Sequence, residues 1–153
     1  MTSEYNREFA TVNAMWAAGR NRGFVPAKVY LLVEDPESER TRRVSAALEA
    51  VQEALGAGAS VSAVKILPAN PKQIHDTLKE LLDKHAGDTV ALDITPGRTV
   101  PKLALFALVK HPAVKHLFYL NVAGFDYRDA TYPEIPFPRQ RCMDLYGVVA
   151  KLV

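Results

Sequence analysis

The chain has 153 residues, of which 48% are apolar and 24% are charged, and its formal net charge is +2. This length is enough to bury a hydrophobic core without disulfides, and it predicts a single domain over residues 1–153. The small net charge excludes a strongly basic nucleic-acid-binding protein, so we expect no binding to double-stranded DNA. With one cysteine, Cys142, the chain cannot form an internal disulfide or a cysteine-based zinc site.

The N-terminus carries acidic residues, and no apolar run reaches the roughly 18 residues that span a membrane. We therefore predict a cytoplasmic protein without a membrane segment. The four histidines show no metal-ligand spacing with a carboxylate, so we expect neither a metal nor another cofactor. They are His75, His85, His111 and His116.

Apolar periodicity predicts helices and strands that alternate along the chain. Residues 1–22 are expected to form an N-terminal helical segment, with the helix itself predicted over residues 4–20. Lys28–Val33 contains five successive apolar residues, a pattern typical of a strand covered on both faces. Asp35 and Pro36 are predicted as the N-cap and first residue of the next helix.

The same alternation continues to the C-terminus. Residues 123–141, rich in aromatic residues and proline, predict an ordered loop or hairpin. The other predicted elements are a strand over 61–67, a helix that Asn70 caps and Gly87 ends, a strand over 90–94, a helix over 100–110, a strand over 117–122 and a short strand over 146–153. This order predicts an α/β fold of the Rossmann-like, doubly wound kind, with a mostly parallel sheet flanked by helices. We expect the first and third strands to be central and adjacent.

The third strand ends in a turn, Thr95–Arg98, that opens onto a helix N-terminus. Free N–H groups and the positive end of the helix dipole favour anions there, phosphate above all. Gly97 allows close approach of the backbone, and Arg98 offers a planar set of donors. Because ligands of doubly wound sheets bind where the strand order reverses, we expect Glu34 and Asp35 to face this turn. An ordinary βα turn with a solvated arginine is the alternative.

Asp93 to Thr99 reads as an acid, a hydrophobic residue, Thr, a small residue, Gly, Arg and Thr after a buried strand. This block resembles the ligand motif of CRISPR-associated Rossmann-fold (CARF) domains. Phe24–Val33, His116–Leu120 and Tyr132–Pro136 resemble the central strand, the next strand and a later segment of that family. The similarity extends over roughly residues 24–147.

The resemblance implies a homodimer that binds a cyclic oligoadenylate, such as cyclic tetra- or hexa-adenylate, across its two-fold axis. Such rings are the second messengers of type III CRISPR antiviral defence. Some family members are ring nucleases, which cleave the ring themselves by attack of a ribose 2′-hydroxyl. Others only sense the ring and control a partner or a further domain. Since this chain has no His/Cys/Asp cluster with metal-ligand spacing, we expect any cleavage by it to be metal-independent. Both functions stay open, for a stand-alone protein as for a domain of a longer effector. A nucleotide- or anion-binding protein unrelated to CRISPR defence is the third alternative.

Carried over to this chain, the resemblance implies ligand binding by the motif, with Arg98 and Thr99 as the catalytic candidates. Thr99 stands where the family often has a lysine, which puts cleavage in doubt but not binding. At the other strand end, Ser38 or Thr41 is the candidate for the family's usual hydroxyl. The implied ligand-binding residues are Asp93, Thr95, Pro96, Gly97, Arg98, Thr99, Glu34, Asp35 and Ser38, with Arg40, Arg42 and Arg43 as phosphate partners.

Two further sets of side chains have more than one interpretation. Asp93 is expected to fix the turn by hydrogen bonding rather than to act as a base. Tyr127 and Tyr132 either stack on adenine rings or pack within their proline-rich loop.

Overall fold

A computed structural model describes residues 7–96, 98–124 and 130–153. Within these residues the elements are α1 (Arg7–Arg22), β1 (Val29–Val33), α2 (Glu39–Ala54), β2 (Val61–Lys65), α3 (Pro71–Lys84), β3 (Val90–Asp93), α4 (Thr99–Ala107), β4 (Val114–Val122), two 3-10 turns (Tyr132–Glu134 and Phe137–Arg139), β5 (Gln140–Asp144) and α5 (Tyr146–Leu152). None of the helices in this part of the chain has the length and apolar character needed to cross a membrane.

The strands form two small sheets. In the first, β1 and β2 run parallel, with Val29 opposite Val61. The second has the order β3-β4-β5; β3 and β4 are parallel, with Leu92 opposite Leu117, and β5 makes the sheet mixed. Each parallel pair is joined by one helix, the local connection that favours neighbouring strands. The α/β class is therefore confirmed, but the expected pairing of the first and third strands is not found among the described residues.

The chain divides into two compact units. The first comprises Met1–Lys65 and Leu120–Cys142, and the second comprises Ile66–Tyr119 and Met143–Val153. Each unit has its own buried side chains, because a helix stripe and a strand face must both be covered.

The first unit is built on the packing of α1 against α2. Its core consists of Met15, Val44, Leu48 and Val51, all buried. Gly19 brings the two helices together, since a Cβ atom there would lie 2.5 Å from Cδ1 of Leu55. A larger residue at this position therefore requires the helices or that leucine to move.

A buried glutamine joins the two segments that lead into β1 and β2. Gln52 on α2 is fully buried. Its Nε2 donates to the carbonyl oxygen of Pro26 over 3.0 Å, and its Oε1 accepts the N–H of Ser60 over 3.0 Å. Two backbone groups at the start of the parallel pair thus obtain their hydrogen bonds from one side chain.

Helix α1 also holds the segment 130–142. Asn13, which is buried, donates from Nδ2 to Ala130 O and accepts the N–H of Tyr132 on Oδ1, over 3.0 and 2.8 Å. Arg22 donates from Nε and Nη2 to the carbonyl oxygen of Cys142, over 3.1 and 2.8 Å. These side chains provide hydrogen-bond partners for backbone groups of the segment, as a neighbouring strand would.

In the second unit, α3 buries three of the four residues of its predicted apolar stripe, Ile74, Leu78 and Leu82, whereas the fourth, Leu81, is half-buried. The N-terminus of α5 is fixed by Asp144, whose Oδ1 accepts the N–H groups of Leu117 and Tyr146. Its Oδ2 lies 2.7 Å from Nδ1 of His116.

The pKa of Asp144 lies below its ordinary value. Burial raises the pKa of this carboxyl, but hydrogen bonds from His116 and two backbone N–H groups lower it by more. The charged carboxylate is therefore the form that ties β4 to the start of α5.

The structure differs from the sequence expectations in the type and boundaries of some elements. The N-cap of α2 is Ser38 and not Asp35, whose carboxylate instead accepts the N–H of Glu37 in a turn before the helix. Residues 146–153 were expected to be a strand but form α5 over Tyr146–Leu152, because Asp144 supplies an acceptor for its first N–H. The last strand, β5, begins inside the segment expected to be a loop or hairpin. Helix α1 runs on to Arg22, and residues 4–6 of its predicted span lie outside the described residues.

Candidate functional site

The turn after β3 is closed by a carboxylate. Asp93, the last residue of β3, is half-buried, and its Oδ1 accepts the N–H of Thr95 over 2.9 Å. The hydroxyl of Thr95 hydrogen-bonds to the same carboxylate. An acid that bonds two residues ahead fixes the chain at a turn, so the structure gives Asp93 the positioning role expected from the sequence.

Burial raises the pKa of Asp93 to about 6, and this is the strongest electrostatic effect on the turn. The hydrogen bonds from Thr95 and the positive charge of Lys102 act in the opposite direction. A carboxyl with this pKa is partly protonated near pH 6, so it opposes a nearby anion less than an exposed aspartate would.

The N-terminus of α4 follows at once and has an open, positive character. Arg98 is the N-cap residue and makes no side-chain cap hydrogen bond, whereas the N-caps of α2 and α3 each accept a helix N–H. The first turn of α4 contains no acidic residue. Pro101 has no N–H, and those of Thr99 and Val100 precede the first helical acceptor. Arg98 and Thr99 are exposed beside these groups.

Lys102 is also part of this site, although it was not predicted from the sequence. It lies in the first part of α4, where its N–H donates to the carbonyl oxygen of Arg98 over 3.3 Å. Its ammonium group is near enough to lower the pKa of Asp93. Its spacing of three residues from Thr99 was the available signal, because residues three apart share a helix face.

The candidate ligand-binding residues that follow β1 lie in the other compact unit or stabilise the start of α2. Glu34 and Asp35 are exposed, and they belong to the first compact unit, whereas the Asp93–Thr99 turn belongs to the second. Ser38 accepts the N–H of Thr41 over 3.1 Å and donates its hydroxyl to Oγ1 of the same residue over 3.0 Å. The Thr41 hydroxyl in turn donates to Asp35 O over 2.8 Å. Both candidate hydroxyls are therefore used in the cap of α2.

Two arginines at the start of α2 contact their own helix and the turn before it. Arg42 donates from Nη2 to the carbonyl oxygen of Glu37 over 2.6 Å. Arg43 pairs with Glu39 one turn earlier, with 3.3 Å between Nη1 and Oε1. Arg40 also has an interaction partner. An exposed pair of this spacing contributes a few tenths of a kcal/mol, so these contacts are those of an ordinary helix surface.

Tyr132 packs within the protein. Its ring stacks on Trp16 with 6.1 Å between the centroids and 10° between the planes. Its hydroxyl donates to Oδ1 of Asn21 over 3.2 Å. Of the two interpretations of this tyrosine, the structure favours loop packing over stacking on a ligand. Tyr127 and Gly97 lie outside the described residues.

Each of the four histidines has an aspartate neighbour. His75 contacts Asp76 and His85 contacts Asp88, close in sequence, whereas His111 contacts Asp83 and His116 contacts Asp144 across the fold. No group of three or more metal-ligating side chains occurs within 7–96, 98–124 and 130–153. His111 accepts the N–H of Ala113 on Nδ1 and lies 2.9 Å from Asp83 through Nε2. Its ring therefore orders the chain between α4 and β4.

Comparison with protein-family models gives no match to this chain, and comparison with curated proteins gives none either. Function is therefore inferred from the residues of the Asp93–Thr99 turn and their surroundings.

Proposed function

We propose that this chain binds a cyclic oligoadenylate through the turn between β3 and α4. The observation that carries the proposal is the uncapped N-terminus of α4, which follows a carboxyl-fixed turn and carries Arg98, Thr99 and Lys102. Ring phosphates would accept hydrogen bonds from the first N–H groups of α4, as anions do at helix N-termini. The guanidinium of Arg98 adds a charge-assisted contact with two parallel donors.

The balance of charge at the turn supports an anionic ligand. Arg98 and Lys102 bring two positive charges, and Asp93 is the acid that closes the turn. Because burial raises the pKa of Asp93, a bound phosphate further favours its neutral form, and the two negative charges do not coexist at mildly acidic pH. Binding is therefore expected to be tighter at pH 5.5 than at pH 8.

A second copy of the chain is part of the proposal. Thr99, Leu103 and Ala107 are exposed at intervals of four along α4, and the Leu103 side chain is 60% exposed. This apolar stripe begins at the proposed ligand turn. A two-fold dimer that covers it presents each donor twice to a ring of repeated phosphates.

Replacement of Leu103 by lysine is expected to convert the dimer into a monomer and to abolish ring binding. The positive charge of the added lysine would by itself strengthen binding of a phosphate ligand. A loss of affinity for the ring would therefore indicate that the dimer no longer forms. Sedimentation or light scattering gives the oligomeric state. Leu152→Lys on α5, where the native side chain is 77% exposed, is the control and should leave assembly unchanged. A wild type that is monomeric at high concentration contradicts the dimer.

Ring cleavage and ring sensing make different demands on the same turn. Cleavage by the adjacent ribose 2′-hydroxyl needs in-line orientation and stabilisation of charge on the phosphorus centre. Thr99 supplies no charge for this, and Lys102 is the nearby cation that could. The sensor is the second candidate, because Thr99 occupies the position of the family's lysine.

Arg98→Ala is expected to weaken binding of cyclic tetra- or hexa-adenylate at least tenfold, about 1.4 kcal/mol. The reason is the loss of one charge-assisted phosphate contact per subunit. Calorimetry measures the affinity, and chromatography of the incubated ring separates linear products from intact ligand. Lys84→Ala, which removes a charge paired with Glu80 on α3, is the control. Linear products identify a ring nuclease and an intact bound ring a sensor. No binding of either ring by the wild type overturns the proposal.

A further inference from the structure

Exposed arginines and a phenylalanine lie together on the C-terminal segment of the first compact unit. Phe137, Arg139 and Arg141 are all exposed, and Phe137 is 73% exposed. Gln140 and Cys142, between and after the arginines, are buried. Arg139 is the last residue of the second 3-10 turn and Arg141 is the second residue of β5, so the Cα atoms of these two exposed arginines lie at most about 7 Å apart.

A third arginine reaches the same strand from α1. Arg22 is exposed, yet its Nε and Nη2 both contact the carbonyl oxygen of Cys142, so its guanidinium lies beside the residue that follows Arg141. No carboxylate among the described residues forms an ion pair with Arg139 or Arg141. Glu134, the acid of the neighbouring 3-10 turn, is engaged by the N–H and hydroxyl of Thr131.

The segment that carries Phe137 is held in place from within. The buried Gln140 amide donates to the carbonyl oxygens of Tyr132 and Ile135, over 3.3 and 3.0 Å. The N–H of Arg139 donates to Pro136 O over 2.8 Å. An exposed aromatic ring on a fixed segment loses little conformational freedom when a flat ligand stacks on it.

We propose that Arg22, Phe137, Arg139 and Arg141 form a binding surface for single-stranded nucleic acid, named here the β5 surface. The arginines would contact successive phosphates, and Phe137 would stack on a base. Proteins that bind single strands combine these two kinds of contact. Duplexes fit less well, because their bases are already stacked. The β5 surface is independent of the proposed ring site, since it lies on other residues and needs no adenine.

The test uses a fluorescent oligouridylate of about ten nucleotides, titrated with the whole chain by anisotropy at several salt concentrations. The double variant Arg139→Ala/Arg141→Ala should bind at least tenfold more weakly at low salt. Its plot of log affinity against log salt should be shallower by about 1.4, because each phosphate contact on a single strand contributes about 0.7 to the slope. Phe137→Ala should lower affinity about fivefold with the slope unchanged, since stacking releases no counterions.

Two control variants distinguish binding at the β5 surface from nonspecific electrostatic attraction and from binding at the ring site. Lys72→Ala/Lys84→Ala removes two ion-paired charges from α3 and should bind oligouridylate as the wild type does. Arg98→Ala should also bind it normally, whatever its effect on cyclic oligoadenylate. Circular dichroism and thermal melting verify folding of each variant. The proposal is overturned if the wild type does not bind at low salt. It is equally overturned if the α3 control weakens binding as much, or if polyglutamate competes as well as RNA and Phe137→Ala changes nothing.

Discussion

An Asp93→Asn variant is expected to be more stable than the wild type at pH 8. Asparagine retains an Oδ1 acceptor for the N–H of Thr95, but it has no charge to bury. The wild-type carboxyl has a pKa of about 6 instead of 3.8, so its ionisation in the folded state costs at most about 3 kcal/mol. Asp93 keeps some contact with water, and we expect a gain of about 1–2 kcal/mol.

The direction of the expected stability change follows from the pH dependence of Asp93 ionisation. The folded protein holds the Asp93 proton more tightly than the unfolded chain does. Its contribution to stability is therefore complete below pH 3.8 and is lost as the pH rises through about 6. Urea unfolding of both proteins between pH 4 and 8 should show the variant's advantage growing over that interval. Asp93→Ala, which also loses the turn hydrogen bond, is the control and should not share the gain. An Asp93→Asn advantage that is the same at pH 4 and pH 8 would contradict the assigned pKa.

Replacement of Gln52 by leucine is expected to lower the free energy of unfolding by about 2–5 kcal/mol. The substitution is close in volume, so the core remains filled. It nevertheless leaves the carbonyl oxygen of Pro26 and the N–H of Ser60, which belong to half-buried residues, without their partner. Urea unfolding at neutral pH measures the loss.

Gln52→Glu provides the matched control. Its ionised carboxylate still accepts the Ser60 N–H but cannot donate to Pro26 O, and it buries a charge. Once protonated, it can make both hydrogen bonds. The glutamate variant should therefore regain stability towards acid pH, whereas the leucine variant should not. Equal stability of the leucine variant and the wild type would show that Gln52 does not hold the starts of β1 and β2.

Local periodicity and turn chemistry were readable in the sequence. The apolar stripe of α3 follows from spacing alone, and its N-cap Asn70 stands where predicted, since it accepts the N–H of Gln73. The turn after β3 was also predictable, because an acid followed two residues later by threonine forms its bond locally. These features need no information from distant parts of the chain.

Features that depend on distant partners escaped prediction. Asp35 and Ser38 both resemble helix caps, and Ser38 takes this role in a network that includes the buried Thr41. Helix α5 is too short to show a clear period, and Asp144, which fixes its start, is itself bound by β4. The pairing of β1 with β2 rather than with the third strand is likewise a property of the assembled sheets.

The bonds between α1 and the segment 130–142 have a consequence for synthesis on the ribosome. Asn13 contacts residues 117 and 119 positions later in the chain, and Arg22 contacts one 120 positions later. Helix α1 therefore emerges before these partners, which follow only after more than 100 further residues have been translated. Until then, the surface of α1 that receives them is uncovered in a nascent protein, a state that favours association with other chains or with chaperones. The first compact unit is thus completed only when its second segment, Leu120–Cys142, has been translated.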